Sequence, residues 1–357
     1  MWHMADGTAI LEASPSDRGR FDSFVRAHTR AHPLQLWSWG EVKKGDGWRP
    51  RRFVIDRRGE ILATASVVER QLPVPGRPRF WLAHRGPVGE PAAPETELLW
   101  RGLREVALAD GVVALRCDPE WPVAEKRWLR HLVALPPRPE WPSGALEPIR
   151  VWRISLDGGE QAVFGRFEAH TRQDVRRAGK KGATVRVGSH ADLAAFHAME
   201  RATAERKGFS LRDLGFFERL WQAWREHGRL FIAEHEGRII GGAWFVVCGA
   251  GCWGQYAASD PEHRRLLPAV LCYWAGVQWA IRQGCRFCDF GGIDWREGRP
   301  DGLRDFKKGF GPGDLRFVGE HDLVARPAAY RAFRLAEEAR WAYFNAKARR
   351  PLKEVAQ

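Results

Sequence analysis

Phe53-Val-Ile-Asp-Arg-Arg-Gly59-Glu-Ile-Leu-Ala-Thr-Ala-Ser-Val-Val68 has the pattern of two strands joined by a tight turn at the glycine. Its hydrophobic alternation is typical of a β-hairpin with one buried face. A second stretch, Phe231-Ile-Ala-Glu-His-Glu-Gly237-Arg-Ile-Ile-Gly-Gly-Ala-Trp-Phe-Val246, aligns with the first without a gap, acidic residue over acidic residue and glycine over turn glycine. A repeat of this kind indicates that one structural unit occurs twice in the chain.

The repeat continues on both sides of the hairpins. An amphipathic helix precedes each hairpin, and a second amphipathic helix and a short strand entered through a glycine follow it. These elements are expected near residues 17–28, 95–109 and 111–117 in the first copy, and near residues 192–207, 268–282 and 284–292 in the second. Their order resembles the GCN5-related acetyltransferase (GNAT) fold. The sequence therefore predicts an α/β protein with two tandem GNAT-like domains.

A proline-rich stretch, Leu135-Pro-Pro-Arg-Pro-Glu-Trp-Pro142, lies between the two copies. Because neither a helix nor a central strand persists through such a run of prolines, we place the domain boundary near residue 150. The segment after Gly319, with a basic helix expected near residues 328–348, is expected to pack back on the first domain. The predicted first domain is thus residues 1–150 plus 320–357, and the second is residues 151–319.

The composition is that of a globular protein with a basic surface. Of its 357 residues, 57 are Lys or Arg and 44 are Asp or Glu, which gives a net charge of +13. This excess favours a nucleic acid, a diphosphate-bearing substrate or an anionic membrane surface as partner, although a basic solvated surface would give the same count. No apolar run approaches the roughly 20 residues of a membrane helix, and the first residues lack the pattern of a signal peptide. The expected location is the cytosol.

Both copies lack the turn that binds pyrophosphate in acetyl-CoA enzymes of this fold. That turn opens a helix and cradles the phosphates on backbone N–H groups, roughly as Arg-x-x-Gly-x-Gly/Ala. The second copy has Glu262-His-Arg-Arg-Leu-Leu-Pro268 at the equivalent place, and the first has Glu90-Pro-Ala-Ala-Pro-Glu95. Because leucine and proline side chains stand where bare backbone is needed, neither copy is expected to bind CoA.

A glycine-rich loop follows the last strand of the second copy. It contains Cys288-Asp-Phe-Gly-Gly292 and then Gly302-Leu-Arg-Asp-Phe-Lys-Lys-Gly-Phe-Gly311. This pattern resembles the hallmark of the Fem family, the aminoacyl-tRNA-dependent transferases that build peptidoglycan cross-bridges. Further stretches that match the family, in its order, are Gln35 to Lys43, Arg85 to Val88, Arg116 to Pro119, His170 to Ala178 and Tyr256 to Ser259.

The resemblance covers roughly residues 30 to 325 and includes two departures from the family pattern. Family members with a long helical arm insert it in the second domain, whereas here only residues 216–226 separate the region of Phe209 from the strand expected at Leu230. The chain therefore resembles the compact type without an arm. The family's frequent tyrosine before Asp-Phe-Gly-Gly is Cys288 here.

The resemblance implies an aminoacyltransferase. A side-chain amine of a peptidoglycan stem peptide would attack the ester carbonyl that joins an amino acid to the terminal adenosine of tRNA, a reaction that positioning and oxyanion stabilisation can drive. Lys307 would face the tRNA end and the developing negative charge, and Phe306 would stack on a base or ribose. Asp118 would accept the proton of the attacking amine. A solvated helix face at Lys307 and an ordinary turn at Asp118 are the alternatives.

By the same resemblance, Lys43, Arg206 and Tyr256 would bind the phosphates and sugar of the acceptor, and Glu320 would line the acceptor cleft between the domains. Lysine and arginine suit the diphosphate of such a precursor. Two neighbouring residues, Lys207 and Arg212, are alternatives to Arg206.

The second domain would bind tRNA phosphates through Lys307 and a basic helix expected over residues 172–181, or that helix forms a solvated face. Its candidate contacts are Arg172, Arg176 and Lys180. The implied partners are aminoacyl-tRNA and a UDP-linked or lipid-linked muropeptide precursor, and the chain is expected to be a monomer. A lipid-linked acceptor would also favour a peripheral contact of the C-terminal helix with the inner face of the membrane. The transferred amino acid stays open between glycine, alanine and serine.

No cofactor and no metal site are expected. Cys285 and Cys288 are three residues apart on one predicted strand, so their side chains would point to opposite faces. Two other functions compete with the aminoacyltransferase: a CoA-dependent or other N-acyltransferase acting on a non-peptidoglycan amine, and a non-enzymatic RNA-binding protein.

Overall fold

The computed structural model of the protein describes residues 2–3, 7–72, 77–137, 146–207, 211–294, 296 and 301–348. In these residues the strands are β1 (Trp2–His3), β2 (Thr8–Glu12), β3 (Arg49–Arg57), β4 (Glu60–Gln71), β5 (Arg79–Ala83), β6 (Val112–Cys117), β7 (Val133–Ala134), β8 (Arg150–Ser155), β9 (Thr184–Val187), β10 (Gly228–His235), β11 (Arg238–Cys248), β12 (Gly251–Ser259), β13 (Phe287–Gly292), β14 (Asp314–Arg316) and β15 (His321–Val324). The α-helices are α1 (Arg18–Ala27), α2 (Trp37–Lys44), α3 (Pro94–Ala109), α4 (Gly159–Gly165), α5 (Ala169–Lys180), α6 (Leu193–Lys207), α7 (Leu214–Ala223), α8 (Pro268–Arg282), α9 (Gly302–Lys308) and α10 (Pro327–Ala348).

The strands of the described residues form two mixed sheets, one for each copy of the repeat. The first sheet has the order β1-β2-β3-β4-β5-β6-β15-β7, and the second has the order β14-β8-β13-β12-β11-β10-β9. In both sheets the strand after the hairpin pairs in parallel with the next strand, β5 with β6 and β12 with β13. Helices α3 and α8 make the crossovers that these parallel pairs require. The prediction of an α/β protein with two tandem GNAT-like domains is confirmed.

The two hairpins agree in details that the alignment did not show. The turns Arg58-Gly59 and Glu236-Gly237 each place both residues at positive φ, between +49° and +91°. This is the conformation in which a two-residue turn matches the twist of the flanking strands. Both hairpins also shift register at the same place, at Ile55-Asp56 in β3 and at Ala233-Glu234 in β10. The duplication is therefore conserved in backbone geometry as well as in residue pattern.

One amphipathic helix covers the equivalent face of each sheet. In the first sheet α3 buries Leu99, Trp100 and Leu103 against a cluster that includes Trp81. In the second sheet α8 buries its apolar face against a cluster that includes Phe245. Each copy thus has its own core, as the repeat predicts.

Gly276 determines how closely α8 approaches the second sheet. A Cβ at this position would overlap the ring of Phe245, which is fully buried in β11. We expect Gly276→Ala to lower the free energy of unfolding by about 1–3 kcal/mol, since the ring has no room to move. Denaturant titration would measure the change. Gly179→Ala is the matched control, because Gly179 lies in helix α5 with open space around it, and we expect that variant to gain up to about 1 kcal/mol. Equal losses in both variants would contradict the explanation.

Helices α1 and α2 join the two halves. Phe21 of α1 and Trp37 of α2 belong to an apolar cluster that also contains Val54 of the first sheet and Trp253 of the second. Helix α2 packs on α7 as well, where Arg219 donates to the Val42 carbonyl at 3.2 Å. The sequence analysis did not predict α2. Its burial between the two sheets closes the seam where the candidate site lies.

Other predicted elements are confirmed with small shifts in their ends. The helices expected near residues 17–28, 95–109, 192–207 and 268–282 are α1, α3, α6 and α8. The last strand of the second copy is shorter than predicted, since β13 begins at Phe287. Cys285 therefore precedes the strand, and the expectation that it shares one with Cys288 is wrong. Residues 138–142 of the proline-rich stretch lie outside the described residues.

The segment after Gly319 lies on the first sheet. Strand β15 pairs with β6 and β7, and α10 packs on β6. This arrangement supports the division into residues 1–150 plus 320–357 and residues 151–319, which stays a prediction. No helix in the described part of the chain is long and apolar enough to cross a membrane.

Candidate active site

The glycine-rich loop places a buried lysine at the end of β13. Helix α9 begins after Asp301, whose carboxylate accepts from the Leu303 N–H at 3.0 Å. On this helix Lys307 is only 3% exposed, and its Nζ donates to the Gly292 carbonyl at 2.6 Å. The next residue, Lys308, has a side chain that is 62% exposed and lies 3.9 Å from Glu168. The alternative for Lys307, a solvated helix face, therefore describes Lys308 and does not describe Lys307.

Phe306 belongs to an aromatic cluster on the second sheet. Its ring meets Tyr273 at 5.1 Å and Phe310 at 5.4 Å, both edge to face. The ring is half-buried. It therefore keeps one exposed part, which the predicted stacking on a base or ribose would need.

Asp118 follows β6, the first-sheet counterpart of the strand that ends in Gly292. Its side chain is 1% exposed, and its Oδ1 accepts from the Arg85 backbone N–H at 2.7 Å. Its Oδ2 has no hydrogen-bond partner in the described part of the chain and lies 3.7 Å from Arg85 Nη1. Burial raises the pKa of this carboxyl well above its usual range, and Arg85 offsets only part of that rise. A raised pKa makes the ionised carboxylate a stronger base than an ordinary aspartate.

Buried charges connect Asp118 to the glycine-rich loop. Arg85 Nε lies 3.9 Å from Glu120, and Glu120 accepts from Arg153 Nη2 at 2.6 Å. Arg153 in turn donates to Asp289 Oδ2 from Nε at 3.0 Å. Burial alone would raise the pKa of Glu120, but Arg153, together with His32 and Arg85, lowers it to about 2. The predicted residues Asp118 and Lys307 thus lie at two ends of one charged seam between the sheets.

Lys43 lies in a second buried cluster on the same seam. Its Nζ is 3.1 Å from Asp46 and sits over the rings of Trp39 and Trp48 at 5.6 and 5.8 Å. Burial and the charge of Arg212 lower the pKa of Lys43. A buried ammonium between aromatic rings is suited to binding an anionic group, which would take the place of water beside the charge.

Of the basic residues considered beside Lys43, Arg212 is the one that the structure brings near. Arg212 Nη1 lies 3.3 Å from Asp46, the carboxylate that also holds Lys43. Arg206 is exposed on α6, and no described residue forms a hydrogen bond or an ion pair with its side chain. The position of Lys207's side chain lies outside the described residues.

Glu147 has an electrostatic influence on three of the predicted residues. Its charge acts on the pKa of Lys43, Asp118 and Tyr256, so each of the three lies within electrostatic range of this carboxylate. Burial raises the pKa of Tyr256, whose ring packs on Phe217 at 4.9 Å. Glu147 could not be predicted from the sequence, because it follows the proline-rich stretch and belongs to no motif.

Glu320 lies close to this region but is held by its own partners. Its Oε1 accepts from the Leu146 N–H at 2.6 Å, and Oε2 lies 3.8 Å from Arg116. Burial raises the pKa of Glu320, and Arg116 opposes the rise. Four residues that were not predicted as site residues form the ion pairs of the seam: Arg85, Glu120, Arg153 and Asp289. Arg85 and Asp289 stand inside quoted motifs, which was the only available signal.

The basic helix expected over residues 172–181 is α5, and it begins at Ala169. Arg172 is engaged locally, because it donates to the carbonyls of Phe167 and Gly165. Arg176 and Lys180 are exposed on the helix surface. Two of the three predicted side chains on α5 are therefore accessible to a polyanion.

The structure explains why the turn before α8 is unsuited to a pyrophosphate. The Leu266 and Leu267 N–H groups donate to His263 at 2.9 Å and to Arg264 at 3.1 Å, and Pro268 has no N–H. Leu267 also lies at φ +59°, a conformation that a glycine would adopt without strain. The backbone N–H groups of Leu266 and Leu267 are thus already used in this turn, and Pro268 offers none to a phosphate.

Comparisons with known proteins agree with this architecture. The family model of the acetyltransferase (GNAT) domain matches residues 169–308. The lipid II:glycine glycyltransferase of Staphylococcus aureus strain USA300 is 24% identical over 386 residues, which cover 87% of this chain and 92% of that protein. The crystal structure of FemX superposes with a TM-score of 0.81 at 22% identity and covers 91% of this chain and 99% of that one. A tandem GNAT protein from the clavulanic acid pathway, 12% identical, reaches a TM-score of 0.50 over 90% of this chain and 99% of that one.

The alignment with the glycyltransferase is longer than this chain, 386 against 357 residues, so that relative carries segments absent here. In this chain only residues 208–213 separate α6 from α7, too few for a helical arm. The likeness to the solved structures shows the fold, and the alignment along nearly the whole of both chains agrees with the motifs of the glycine-rich loop. The chain is a transferase with the GNAT fold, and it is similar along nearly its whole length to the lipid II:glycine glycyltransferase and to FemX, in agreement with the resemblance to the Fem family.

Proposed function

We propose that this protein transfers an amino acid from aminoacyl-tRNA to the side-chain amine of a peptidoglycan precursor stem peptide and so forms an interpeptide bridge. The similarity to the lipid II:glycine glycyltransferase favours glycine as the amino acid and a lipid-linked precursor as the acceptor. Alanine, serine and a UDP-linked acceptor are the alternatives that the first experiment below separates.

The observation that carries the proposal is the burial of the Lys307 ammonium beside the Gly291-Gly292 turn. A lysine that is 3% exposed and hydrogen-bonded to a backbone carbonyl is not a surface charge. Preorganised cations in a site without water stabilise developing negative charge far better than solvated ones do. This position suits the oxyanion of an acyl transfer.

The chemistry needs no covalent enzyme intermediate. The acceptor amine attacks the ester carbonyl carbon, a C–N bond forms, and the carbonyl oxygen becomes an oxyanion beside Lys307. The tetrahedral intermediate then collapses, the C–O bond to the ribose breaks, and the ribose oxygen leaves with a proton from solvent, to which Asp118 returns the proton it has accepted. Asp118 accepts the proton that the amine loses, a role for which its raised pKa suits it.

The proposed roles divide between the acceptor and the tRNA end. Lys43, Tyr256 and Glu320 hold the acceptor, with Arg212 beside Lys43 in the place first given to Arg206. Residues of the second sheet meet the tRNA end, and a groove of about 800 Å³ beside Lys308 offers it an approach. Arg176 and Lys180 extend that basic surface along α5.

The decisive experiment incubates the protein with mixed aminoacyl-tRNA and either lipid II or a UDP-linked muropeptide. Mass spectrometry of the acceptor then gives the amino acid from the mass gain. A gain that disappears when the tRNA is treated with ribonuclease supports the proposal. Transfer from acetyl-CoA, or a gain that survives ribonuclease, would overturn it.

Lys43→Ala should weaken acceptor binding. The Lys43 ammonium is buried against Trp39 and Trp48. The substitution therefore deprives a bound diphosphate of its contact with a desolvated positive charge. We expect KM for the acceptor to rise about tenfold with kcat nearly unchanged, the pattern of a lost ground-state contact. The matched control is Lys44→Ala, since Lys44 is adjacent, 56% exposed and paired only with Glu41 among the described residues. A fall in kcat at constant KM would assign Lys43 a different role.

A further inference from the structure

The Gly292 carbonyl, which accepts a hydrogen bond from the Lys307 ammonium, belongs to a turn that Asp289 holds by a hydrogen bond. Gly291 lies at φ +77°, and a Cβ there would lie 3.9 Å from Lys307 Nζ. The Gly291 N–H donates to Asp289 Oδ1 at 2.6 Å, and the next residue, Gly292, accepts from Lys307 Nζ at 2.6 Å. The Asp289 carboxylate thereby holds the short segment of backbone that presents the lysine's acceptor.

Arg153 holds the other oxygen of Asp289. Its Nε and Nη2 lie 3.0 and 2.9 Å from Oδ2, and the two residues are register partners on β8 and β13. Hydrogen bonds between ionised groups are short and strong, so this pair restricts the carboxylate to one orientation. Asp289 is 2% exposed, so its carboxylate depends on protein partners.

Glu120 continues the contacts into the first half of the chain. It accepts from Arg153 Nη2 at 2.6 Å and from Trp253 Nε1 at 3.4 Å. It stands two residues after Asp118 in the sequence. Because a buried charge is costly when it loses a partner, a change at any of these groups must disturb its neighbours.

We propose that Glu120, Arg153 and Asp289, here called the ion chain, position the Lys307 ammonium and couple it to the acceptor side of the seam. The catalytic meaning of this inference rests on the proposed function, whereas the placement of Lys307 does not. None of the three residues touches the reacting atoms. They are positioning residues that act through the Gly291-Gly292 turn.

The test measures how reactive Lys307 is towards an amine-acetylating reagent, with the neighbouring Lys308 as internal reference. Peptide mass spectrometry gives the ratio of the two modification rates in each protein. In Asp289→Asn we expect the ratio of Lys307 to Lys308 to rise at least about threefold, because the turn opens more often. We also expect kcat to fall about tenfold while KM for the acceptor changes by less than about twofold.

The matched control is Asp322→Asn. Asp322 is fully buried, and Arg116 of the paired strand holds it at 2.8 and 3.0 Å, as Arg153 holds Asp289. This variant should lose comparable thermal stability and leave the modification ratio unchanged. A ratio that rises equally in both variants, or in neither, would show that the ion chain only stabilises the fold.

Glu120→Gln keeps the inference testable if Asp289→Asn does not fold. It removes one charge at the far end of the ion chain and leaves the pair of Arg153 with Asp289 in place. We expect a smaller rise of the ratio in the same direction, and an unchanged ratio in this folded variant would overturn the coupling. Failure of the proposed function would look different, since the unaltered protein would then give the acceptor no tRNA-dependent mass gain, whatever the ratio shows.

Discussion

Lys307→Ala should lower kcat by about 10²–10³-fold, the loss seen when one preorganised oxyanion donor is removed. The ammonium lies inside the seam, held by the Gly292 carbonyl, and no water replaces it there at comparable strength. KM for the acceptor should change little, because the interaction develops with the charge on the ester oxygen. The measurement is steady-state transfer from aminoacyl-tRNA to the precursor.

Lys308→Ala is the control for this prediction. It removes the same charge from the adjacent position of α9, where the side chain is 62% exposed. We expect its activity to stay within about twofold of the unaltered protein. A melting curve should show that Lys307→Ala is folded, with a loss of about 1–3 kcal/mol for the carbonyl left without its donor. A folded Lys307→Ala protein with near-normal transfer would remove Lys307 from the mechanism.

Asp118→Asn should lower kcat by about 10²–10⁴-fold, the usual contribution of a general base. The amide keeps the size of the side chain and its oxygen can still accept from the Arg85 N–H, so the variant tests proton transfer more than packing. The raised pKa of Asp118 predicts a rate that increases with pH as the carboxyl ionises. That limb of the pH profile should be missing in the variant, whereas the limb due to the acceptor amine should be common to both proteins.

The raised pKa of Asp118 should also make the stability of the protein depend on pH, in a direction that can be predicted. A carboxyl whose pKa is higher in the folded than in the unfolded state stabilises the fold at low pH, and this contribution is lost as pH rises through the folded value. Melting temperatures of the unaltered protein should therefore fall relative to Asp118→Asn as pH increases. Glu320→Gln is the comparison, since burial raises the pKa of that carboxyl as well, but its removal should leave the Asp118 limb of the rate profile in place. A limb that persists in Asp118→Asn would assign the base elsewhere.

Local patterns were enough to predict much of the fold. The two hairpins depend on alternation and on turn residues that adopt positive φ, and both features are encoded within about 16 consecutive residues. Helix α8 begins at Pro268 and ends just before Gly284, as those residues favour. Helix α2 escaped prediction because its two buried tryptophans face other elements on opposite sides, which removes the one-sided pattern of an amphipathic helix.

The candidate site was predictable only where it coincides with a motif. Asp118 and Lys307 stand in such motifs, whereas the choice between Arg206 and Arg212 depends on where the chain passes after α6. The contact with Asp46 favours Arg212, since this carboxylate pairs with both Lys43 and Arg212. Asp46 and Arg212 are far apart in the sequence, and no residue pattern predicts their contact.

The amino-acid sequence was sufficient for the repeated unit, for its order of helices and strands, and for the family motif in the glycine-rich loop, because each depends on interactions between near neighbours. Folding alone buried Lys307 while leaving Lys308 exposed, and folding alone brought Glu120, Arg153 and Asp289 together. Arg153 is separated from Glu120 by 33 residues and from Asp289 by 136. Their contact depends on how the two sheets pack together across α2. The free energy of a buried charge depends in turn on all the groups that surround it in the folded protein.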